Sequence, residues 1–305
     1  MKVSASVYSN TERPLEDLIK DLDRYHVDYF HIDCNDDLSV FDDINRIRKI
    51  SNTPIDLHII SSHPEKYFDG IINTRTEMVS FQYENLKSPL NIPVELKSKL
   101  GLAIISETQP EVFFEYKDRF DFVLFMTTTP GKSGGKFNKE NFQKIREFQS
   151  RFPRKGIHVD GGVNDEISFV LRNMGVSLVV SGSYLVNSDY IGAAIHNLRS
   201  DLTKSHILIK DFMISRDESP VLRFGNFSFR DILQTIEDFN QGFVMITDEK
   251  EKLLGIITNA DIRKGLLKME DGRWKMEDGK NKVIDVNNLD CERLMNRNPA
   301  TINQD

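Results

Sequence analysis

Apolar segments alternate with amphipathic segments through the first 200 residues of this 305-residue chain, and this alternation limits its fold more than any other feature. Amphipathic segments such as PLEDLIKDLDRY and DEISFVLRNMG predict helices between strands, and strands that alternate with helices predict a parallel sheet. Eight such units are the number that closes a (β/α)8 TIM barrel. An open doubly wound sheet is the alternative, but no G-x-G-x-x-G follows the first strand. The predicted strands cover residues 2–7, 28–33, 54–60, 77–83, 102–106, 121–127, 156–160 and 178–182.

The pattern changes just after residue 200, which predicts a barrel domain over residues 1–202 and a second domain over residues 203–305. From residue 219 the chain follows the order β-α-β-β-α, which predicts a smaller α+β domain. The polar near-repeat KMEDGRW and KMEDGKN predicts an exposed loop or helix extension. The last residues, ERLMNRNPATINQD, resemble the opening of a further unit, so we expect an incomplete second repeat and a truncated chain.

Composition excludes several classes of function. The net charge of −7 argues against a general binder of nucleic acid or of anionic membranes. The N-terminal MKVSASVYSN has no long apolar region, and no apolar segment approaches the length that crosses a bilayer. Cys34 and Cys291 lie far apart and suggest no disulfide framework, so we expect a cytoplasmic protein.

Four ionisable residues interrupt the predicted strands near their C-terminal ends: His31, Asp33, His58 and Asp160. In a barrel these ends meet at one mouth, where catalytic residues of this fold lie. Two imidazoles and two carboxylates suit a divalent transition metal such as Zn, Fe, Mn or Co. Taken singly, a histidine in a strand is often a core residue, and an aspartate before glycine often forms a turn. Their position on three strands at one end of the barrel favours a metal site.

The segments SASVYS, HIDCND, PIDLHIISSHPEKY, FMTTTPGKSGGKF, VDGGV and VVSGSYLV follow one another in an order and spacing that resemble those of ribulose-phosphate 3-epimerases. The resemblance covers essentially all of residues 1–200. It implies that His31, Asp33, His58 and Asp160 bind one catalytic divalent metal ion. It also implies that Asp33 and Asp160 act as the acid/base pair that inverts C3 of a ketose phosphate through an enediolate.

Glycine-rich segments follow the last three strands, and backbone N–H groups in such loops bind phosphate. Each segment alone is also compatible with an ordinary turn. Ser6 matches a serine in the first-strand motif of these epimerases, which implies a hydrogen bond to the sugar; it is also compatible with a serine packed inside the barrel. The predicted substrate and phosphate ligands are Ser6, Gly131, Ser133, Gly134, Gly135, Gly161, Gly162, Gly182 and Ser183.

The chain departs from the resembled motifs at positions that line the substrate. The segment PGKSGG replaces P-G-F-G-G-Q, and Asn35 replaces a methionine. Gln82 stands where these epimerases have a strand-four histidine, and Ile60 replaces a second methionine, whereas Met126 is kept. Metal ligands are thus retained while the lining changes, so we expect ribulose 5-phosphate/xylulose 5-phosphate or a related sugar phosphate.

The C-terminal segment GIITNADIRKGLL resembles a CBS domain, whose pattern G-x-x-T/S-x-x-D falls on Thr258 and Asp261. The resemblance implies contacts from these two residues to an adenine nucleotide. A nucleotide-free dimerisation module is equally compatible with it. CBS units normally pair, so a single copy predicts a homo-oligomer, a dimer or higher, with no nucleic acid or membrane partner.

Three functions are compatible with these patterns. The first is a metal-dependent sugar-phosphate 3-epimerase, an isomerase that acts on a phosphorylated ketose. The second is a non-catalytic sensor that binds a sugar phosphate in the barrel and a nucleotide in the second domain. The third is a decarboxylase of keto-sugar phosphates, which is disfavoured because the strand that carries His31 and Asp33 offers no lysine beside the aspartate.

Overall fold

The structure is a computed structural model that describes residues 1–10, 12–87, 90–128, 134–201, 205–270 and 291–302, without the side chains of residues 268–270. The described chain forms two compact units, Met1–Phe212 and Met213–Asp305. Each unit has its own hydrophobic core, and the two are described separately.

The first unit is a closed barrel of eight parallel strands, which confirms the predicted fold. Neighbouring strands pair in chain order, and β1 pairs with β8 to close the sheet. Strand ends differ from the prediction by up to three residues, most at β5, which begins at Lys99. The strands are β1 Lys2–Ser6, β2 Tyr29–Asn35, β3 Ile55–Ile60, β4 Met78–Gln82, β5 Lys99–Ile105, β6 Phe122–Met126, β7 Gly156–Asp160 and β8 Leu178–Ser181.

The helices of the first unit bury apolar side chains spaced three or four residues apart. In α1 these are Leu18, Ile19 and Leu22, and burial of each contributes roughly 1.5–3 kcal/mol. Among the described residues of both units, no helix combines the length and apolar character that crossing a membrane requires. The helices are α1 Leu15–Arg24, α2 Val40–Arg48, α3 Phe68–Thr74, α4 Asn141–Arg151, α5 Asp165–Asn173, α6 Ser183–Val186, α7 Ile191–Arg199 and α8 Ile209–Phe212.

Two connections differ from the regular alternation of strand and helix. After β4 and after β5, the described residues form short 3-10 helices, Tyr83–Asn85 and Pro110–Glu115, rather than α-helices. Pro93 interrupts the first connection, because proline has no N–H for a helical hydrogen bond. In the second connection, aromatic side chains such as Phe113 and Phe120 are buried and cover the barrel in place of a full helix.

The second unit has a three-stranded sheet in the order β11-β10-β9, with β10 parallel to β9 and antiparallel to β11. The chain order β-α-β-β-α matches the prediction. Its core is small and includes Ile232, Val244, Ile246 and Ile257, all fully buried. Most of the near-repeat, residues 271–281, lies outside the described residues, so its exposure stays a prediction. The elements are β9 Val221–Arg223, α9 Phe229–Phe239, β10 Phe243–Thr247, β11 Leu253–Thr258 and α10 Asn259–Glu270.

Candidate metal centre and active site

The barrel register brings the four predicted metal ligands together. His31 and Asp33 are two residues apart on β2, so both side chains point into the barrel. Asp33 is the register partner of His58 on β3. Asp160 ends β7, Asp33 and His58 each stand two residues before the end of their strands, and His31 stands two residues deeper on β2. The side chains therefore converge at the mouth of the barrel.

The distances within this cluster are short. The Nε2 atom of His31 lies 3.3 Å from Oδ1 of Asp33 and 3.7 Å from Oδ2 of Asp160. The Nδ1 atom of His58 lies 3.1 Å from the same Asp33 oxygen. One donor atom from each of the four residues lies within 4.8 Å of the others. Both imidazoles are fully buried, whereas the two carboxylate side chains each keep 16% exposure and are open to a substrate.

Each histidine is also held from the side that faces away from the cluster. Nδ1 of His31 lies 2.8 Å from Oδ2 of Asp56, and the hydroxyl of Ser4 donates to the same oxygen at 3.0 Å. Nε2 of His58 lies 2.8 Å from Oε1 of Gln82. The sequence analysis noted Gln82 only as a departure and missed Asp56. The available signal was the spacing Asp56-x-His58, which places both side chains on the inner face of β3.

Charge within the cluster shifts the protonation of His31 and Asp56. Burial alone would lower the pKa of His31, but the carboxylates of Asp56 and Asp33 outweigh it and raise the pKa well above its usual value. Burial alone would raise the pKa of Asp56, but His31 outweighs it and holds that pKa below its usual range. Asp56 is therefore a carboxylate that accepts the Nδ1 proton of His31.

The two mouth carboxylates are driven to different protonation states. Burial would raise the pKa of Asp33, but hydrogen bonds and charge from His31 and then His58 hold it below its usual range. Burial raises the pKa of Asp160 to about 6; His31 opposes this increase and the charge of Asp33 adds to it. Paired titratable groups with separated pKa values are typical of acid/base sites.

The donor set fits a divalent metal ion. Two imidazole nitrogens and two carboxylate oxygens are ligands that Zn, Fe, Mn and Co accept. In the described part of the chain, neither Asp33 nor Asp160 forms an ion pair with a lysine or arginine. The His31 ring supplies positive charge beside these carboxylates, and a bound cation would take over that role when Nε2 becomes a ligand. The cluster can therefore hold a divalent metal ion.

A cleft of about 790 Å³ opens over the cluster, and Asp33 and Asp160 lie in its wall. Gly131 and Ser133 lie outside the described residues, so their role stays a prediction. Sequence reasoning did not assign other lining residues, among them Tyr8, Ser9, Thr128, Lys136, Lys139, Asn164 and His206. The predicted substrate ligands that line the cleft are Ser6, Gly134, Gly135, Gly161, Gly162, Gly182 and Ser183.

At two of these glycines a side chain would collide with neighbouring atoms. Gly162 has a φ of +64°, and a Cβ atom there would lie 2.2 Å from the backbone nitrogen of Phe137. At Gly182 a Cβ atom would lie 2.5 Å from Oγ of Ser9, whose hydroxyl also lies 3.0 Å from that of Ser6. The backbone at both positions is thus kept close to the cleft, as a loop that binds an anion through N–H groups requires.

Thr258 and Asp261 lie in the second unit, at the start of α10. The Thr258 N–H donates to the Asp261 carboxylate at 3.0 Å, and the Asp261 N–H donates to the Thr258 hydroxyl oxygen at 3.2 Å. This reciprocal arrangement is a capping box, which satisfies backbone donors at a helix N-terminus. Both side chains therefore have a structural role, and their contact with a nucleotide stays a prediction.

Known proteins resemble the first unit. The family model described as "Ribulose-phosphate 3 epimerase family" matches residues 2–186. The ribulose-phosphate 3-epimerase of Methanocaldococcus jannaschii is 30% identical over 230 residues, which cover 70% of this chain and 95% of that protein. The Bacillus subtilis enzyme of the same name is 28% identical over 213 residues, 65% of this chain and 98% of the relative. These relatives agree with the predicted isomerase class.

Solved structures agree with the barrel fold. A crystal structure of 3-hexulose-6-phosphate synthase aligns with a TM-score of 0.50 at 14% identity, over 67% of this chain and all of that one. Identity at this level shows the fold alone. Membership follows from the family match, which spans more than half of the chain and includes His31, Asp33, His58 and Asp160. The chain belongs to the ribulose-phosphate 3-epimerase family.

Proposed function

We propose that this protein is a metal-dependent epimerase that inverts C3 of a phosphorylated ketose. The substrate is ribulose 5-phosphate/xylulose 5-phosphate or a related sugar phosphate. One observation carries the proposal: the two carboxylates of the His/Asp cluster, Asp33 and Asp160, both reach the cleft that the glycine loops line. Acid/base groups, metal ligands and phosphate donors are thus within reach of one small molecule.

Inversion of a carbon beside a carbonyl requires removal of a proton from one face and delivery to the other. Asp33 and Asp160 stand on β2 and β7, which are separated in the barrel by β8 and β1. They approach the cleft from different parts of the barrel wall, which supports attack on opposite faces of an enediolate. The low pKa of Asp33 and the pKa of about 6 of Asp160 support one group acting as base while the other acts as acid.

His31, Asp33, His58 and Asp160 would hold the divalent ion. When bound, the ion supplies positive charge that offsets negative charge on the substrate oxygens. Gly134, Gly161 and Gly182 line the same cleft, and backbone N–H groups at these positions would bind the phosphate. The substrate would then span the distance between the carboxylates and the glycine loops.

For the second unit we propose a CBS-type module that pairs with another copy. Its element order and the Thr258–Asp261 pair support this reading. An adenine nucleotide is its proposed ligand, and a homo-oligomer is the expected assembly. Its effect on the barrel would be regulatory, since the four proposed metal ligands lie in the first unit.

Proton NMR in D2O tests the catalytic proposal. Metal-loaded protein is mixed with ribulose 5-phosphate, and loss of the C3 proton signal is followed together with appearance of xylulose 5-phosphate. If ribulose 5-phosphate does not react, a panel of phosphorylated ketoses tests the related substrates. Absence of exchange across the panel, with metal bound, would reject the epimerase and favour a sugar-phosphate sensor.

A further inference from the structure

A chain of hydrogen bonds leads from the surface of the barrel to one histidine of the metal cluster. Oε1 of Gln82 lies 2.8 Å from Nε2 of His58, and Nε2 of Gln82 donates to Oε2 of Glu84 at 2.5 Å. Gln82 is only 2% exposed, at the end of β4, whereas the exposed Glu84 carboxylate also accepts bonds from Ile105 and Thr108, at and after the end of β5. The chain therefore runs Glu84–Gln82–His58.

The orientation of the Gln82 amide follows from its neighbours. A carboxylate only accepts hydrogen bonds, so the NH2 group of Gln82 must face Glu84. The carbonyl oxygen of Ala103 lies 3.4 Å from the same nitrogen and is a second acceptor on that side. If the amide were reversed, its oxygen would face two acceptors. The oxygen of Gln82 therefore faces His58.

The carboxylate of Glu84 is itself fixed. Its Oε1 atom accepts from the backbone N–H of Ile105 at 3.1 Å and from the hydroxyl of Thr108 at 2.5 Å. These bonds use one oxygen and leave Oε2 for the amide of Gln82. The side chain that orients Gln82 is thus held by the backbone at the end of β5.

The Gln82 oxygen selects one form of the His58 ring. An amide oxygen cannot donate, so the hydrogen between the two residues belongs to Nε2 of His58. Nδ1 is then the ring nitrogen that faces the cluster, where its lone pair would bind a metal ion. That atom lies 3.1 Å from Oδ1 of Asp33, within the proposed ligand cluster.

We propose that Gln82 is a positioning residue, which with Glu84 keeps a hydrogen on Nε2 of His58 and so turns Nδ1 towards the metal ion. The inference rests on the metal site of the proposed function and assigns roles to two residues outside the ligand set. Hydrogen-bond partners behind a ligating histidine set its ring orientation and basicity, and their loss typically lowers metal affinity 10- to 100-fold.

The test compares three variants with the wild-type protein. Gln82→Leu removes the acceptor at similar volume. The double variant Gln82→Glu/Glu84→Gln exchanges the two groups: a carboxylate at position 82 still accepts from His58, and the amide at position 84 donates to it. Gln143→Leu is the matched control, because Gln143 donates to Glu147 at 2.9 Å in a similar but exposed pair on α4.

Two readouts are measured for each protein. Nitrogen-15 NMR of the metal-free protein reports whether Nε2 of His58 carries a hydrogen, and competition titration with a chromophoric chelator gives the Kd for Zn²⁺. Wild type and Gln143→Leu should show hydrogen on Nε2 and equal Kd values. Gln82→Leu should lose the hydrogen on Nε2 and bind Zn²⁺ 10- to 100-fold more weakly. The exchanged pair should restore the hydrogen on Nε2 and bring the Kd to within about threefold of wild type.

The proposal would be overturned if Gln82→Leu keeps the hydrogen on Nε2 of His58 and binds Zn²⁺ with a Kd within twofold of wild type. An exchanged pair that folds and fails to restore either readout would also overturn it, since the role would then be packing alone. If Gln82→Leu does not fold, Gln82→Met replaces it, because a thioether accepts only weakly. Absence of Zn²⁺ binding by the wild type would refute the proposed function, and the measurement of the hydrogen on Nε2 would still decide the role of Gln82.

Discussion

His31 and Asp56 are register partners on neighbouring strands, and Oδ2 of Asp56 lies 2.8 Å from Nδ1 of His31. Two residues further along, the partners are Asp33 and His58, so an H-x-D sequence on β2 faces a D-x-H sequence on β3. Each histidine is therefore beside an aspartate of the other strand. Asp33 faces the cleft, whereas Asp56 lies beneath it and is buried inside the barrel.

Replacement of Asp56 should weaken metal binding although Asp56 is not a ligand. We expect Asp56→Asn to raise the Kd for Zn²⁺ 10- to 100-fold, because the amide no longer provides a negative acceptor for Nδ1 of His31. Competition titration measures the change. Ser4→Ala is the control: it removes one hydrogen bond to Asp56, keeps the carboxylate, and should leave Kd within threefold. A Kd for Asp56→Asn within twofold of wild type would contradict this role.

Metal affinity should rise with pH. The raised pKa of His31 means that metal binding must displace a proton from Nε2, and below about pH 6 a second proton must leave Asp160. The Kd for Zn²⁺ should therefore fall as pH increases from 5 to 8, most steeply below pH 6. Calorimetry in buffers of different ionisation enthalpy counts the released protons. A Kd independent of pH across this range would show that neither group loses a proton.

The two mouth aspartates should both be needed for exchange of the C3 proton. We expect Asp33→Asn and Asp160→Asn each to lower the exchange rate about 10²- to 10⁴-fold, which is the range that a general acid or base contributes. Deuterium incorporation measures the rate, and metal content is determined in parallel. Asp37→Asn, at an exposed carboxylate beyond β2, should exchange at the wild-type rate. If Asp160→Asn exchanges the C3 proton at the wild-type rate, Asp160 is not a member of the acid/base pair.

His158 should destabilise the protein in mild acid. Its ring stacks on Phe122 with centroids 4.0 Å apart, and burial lowers its pKa to about 4. At this residue the folded state therefore binds fewer protons than the unfolded state below pH 6.5, so the contribution of His158 to the free energy of unfolding falls as pH falls from 6.5 towards 4. At pH 5 this loss amounts to about 2 kcal/mol.

Urea denaturation at pH 7 and pH 5 checks the prediction, with His158→Phe beside the wild type. The variant lacks the titrating ring and should lose less unfolding free energy between the two pH values. Equal losses in the two proteins would assign the acid sensitivity to other groups.

Gly162 should be required for substrate binding. Alanine would place a Cβ atom 2.2 Å from the nitrogen of Phe137, and the loop that lines the cleft would have to move. We expect Gly162→Ala to raise KM for the phosphorylated substrate at least about tenfold, since misplaced donors bind phosphate poorly. Gly225→Ala is the matched control, because Gly225 also has positive φ but no neighbour within 4 Å of its Cβ position. Unchanged KM in Gly162→Ala would place the phosphate elsewhere.

The barrel and its four mouth residues were predictable because both follow from local periodicity. Strand side chains alternate, so His31 and Asp33 had to share a face, and parallel strands had to end at one mouth. The connections after β4 and β5 were less predictable, since aromatic packing replaces helical periodicity there.

The supporting residues could not be read from the sequence in the same way. Asp56 and Gln82 act across strands, on His31 and His58, and those contacts depend on the register between strands. A local pattern contains no register, so their roles required the three-dimensional structure. Only Asp56 had a local signal in the sequence, which is its spacing from His58 on the same strand.

The order of the four proposed metal ligands along the chain also has a consequence for biosynthesis. Three of the four proposed metal ligands, His31, Asp33 and His58, belong to one β-α-β unit near the N-terminus, whereas Asp160 follows a long intervening segment. A nascent chain would expose an incomplete chelating site well before the strand with the last ligand has left the ribosome. Tight capture of the ion must therefore wait until the seventh strand joins the sheet.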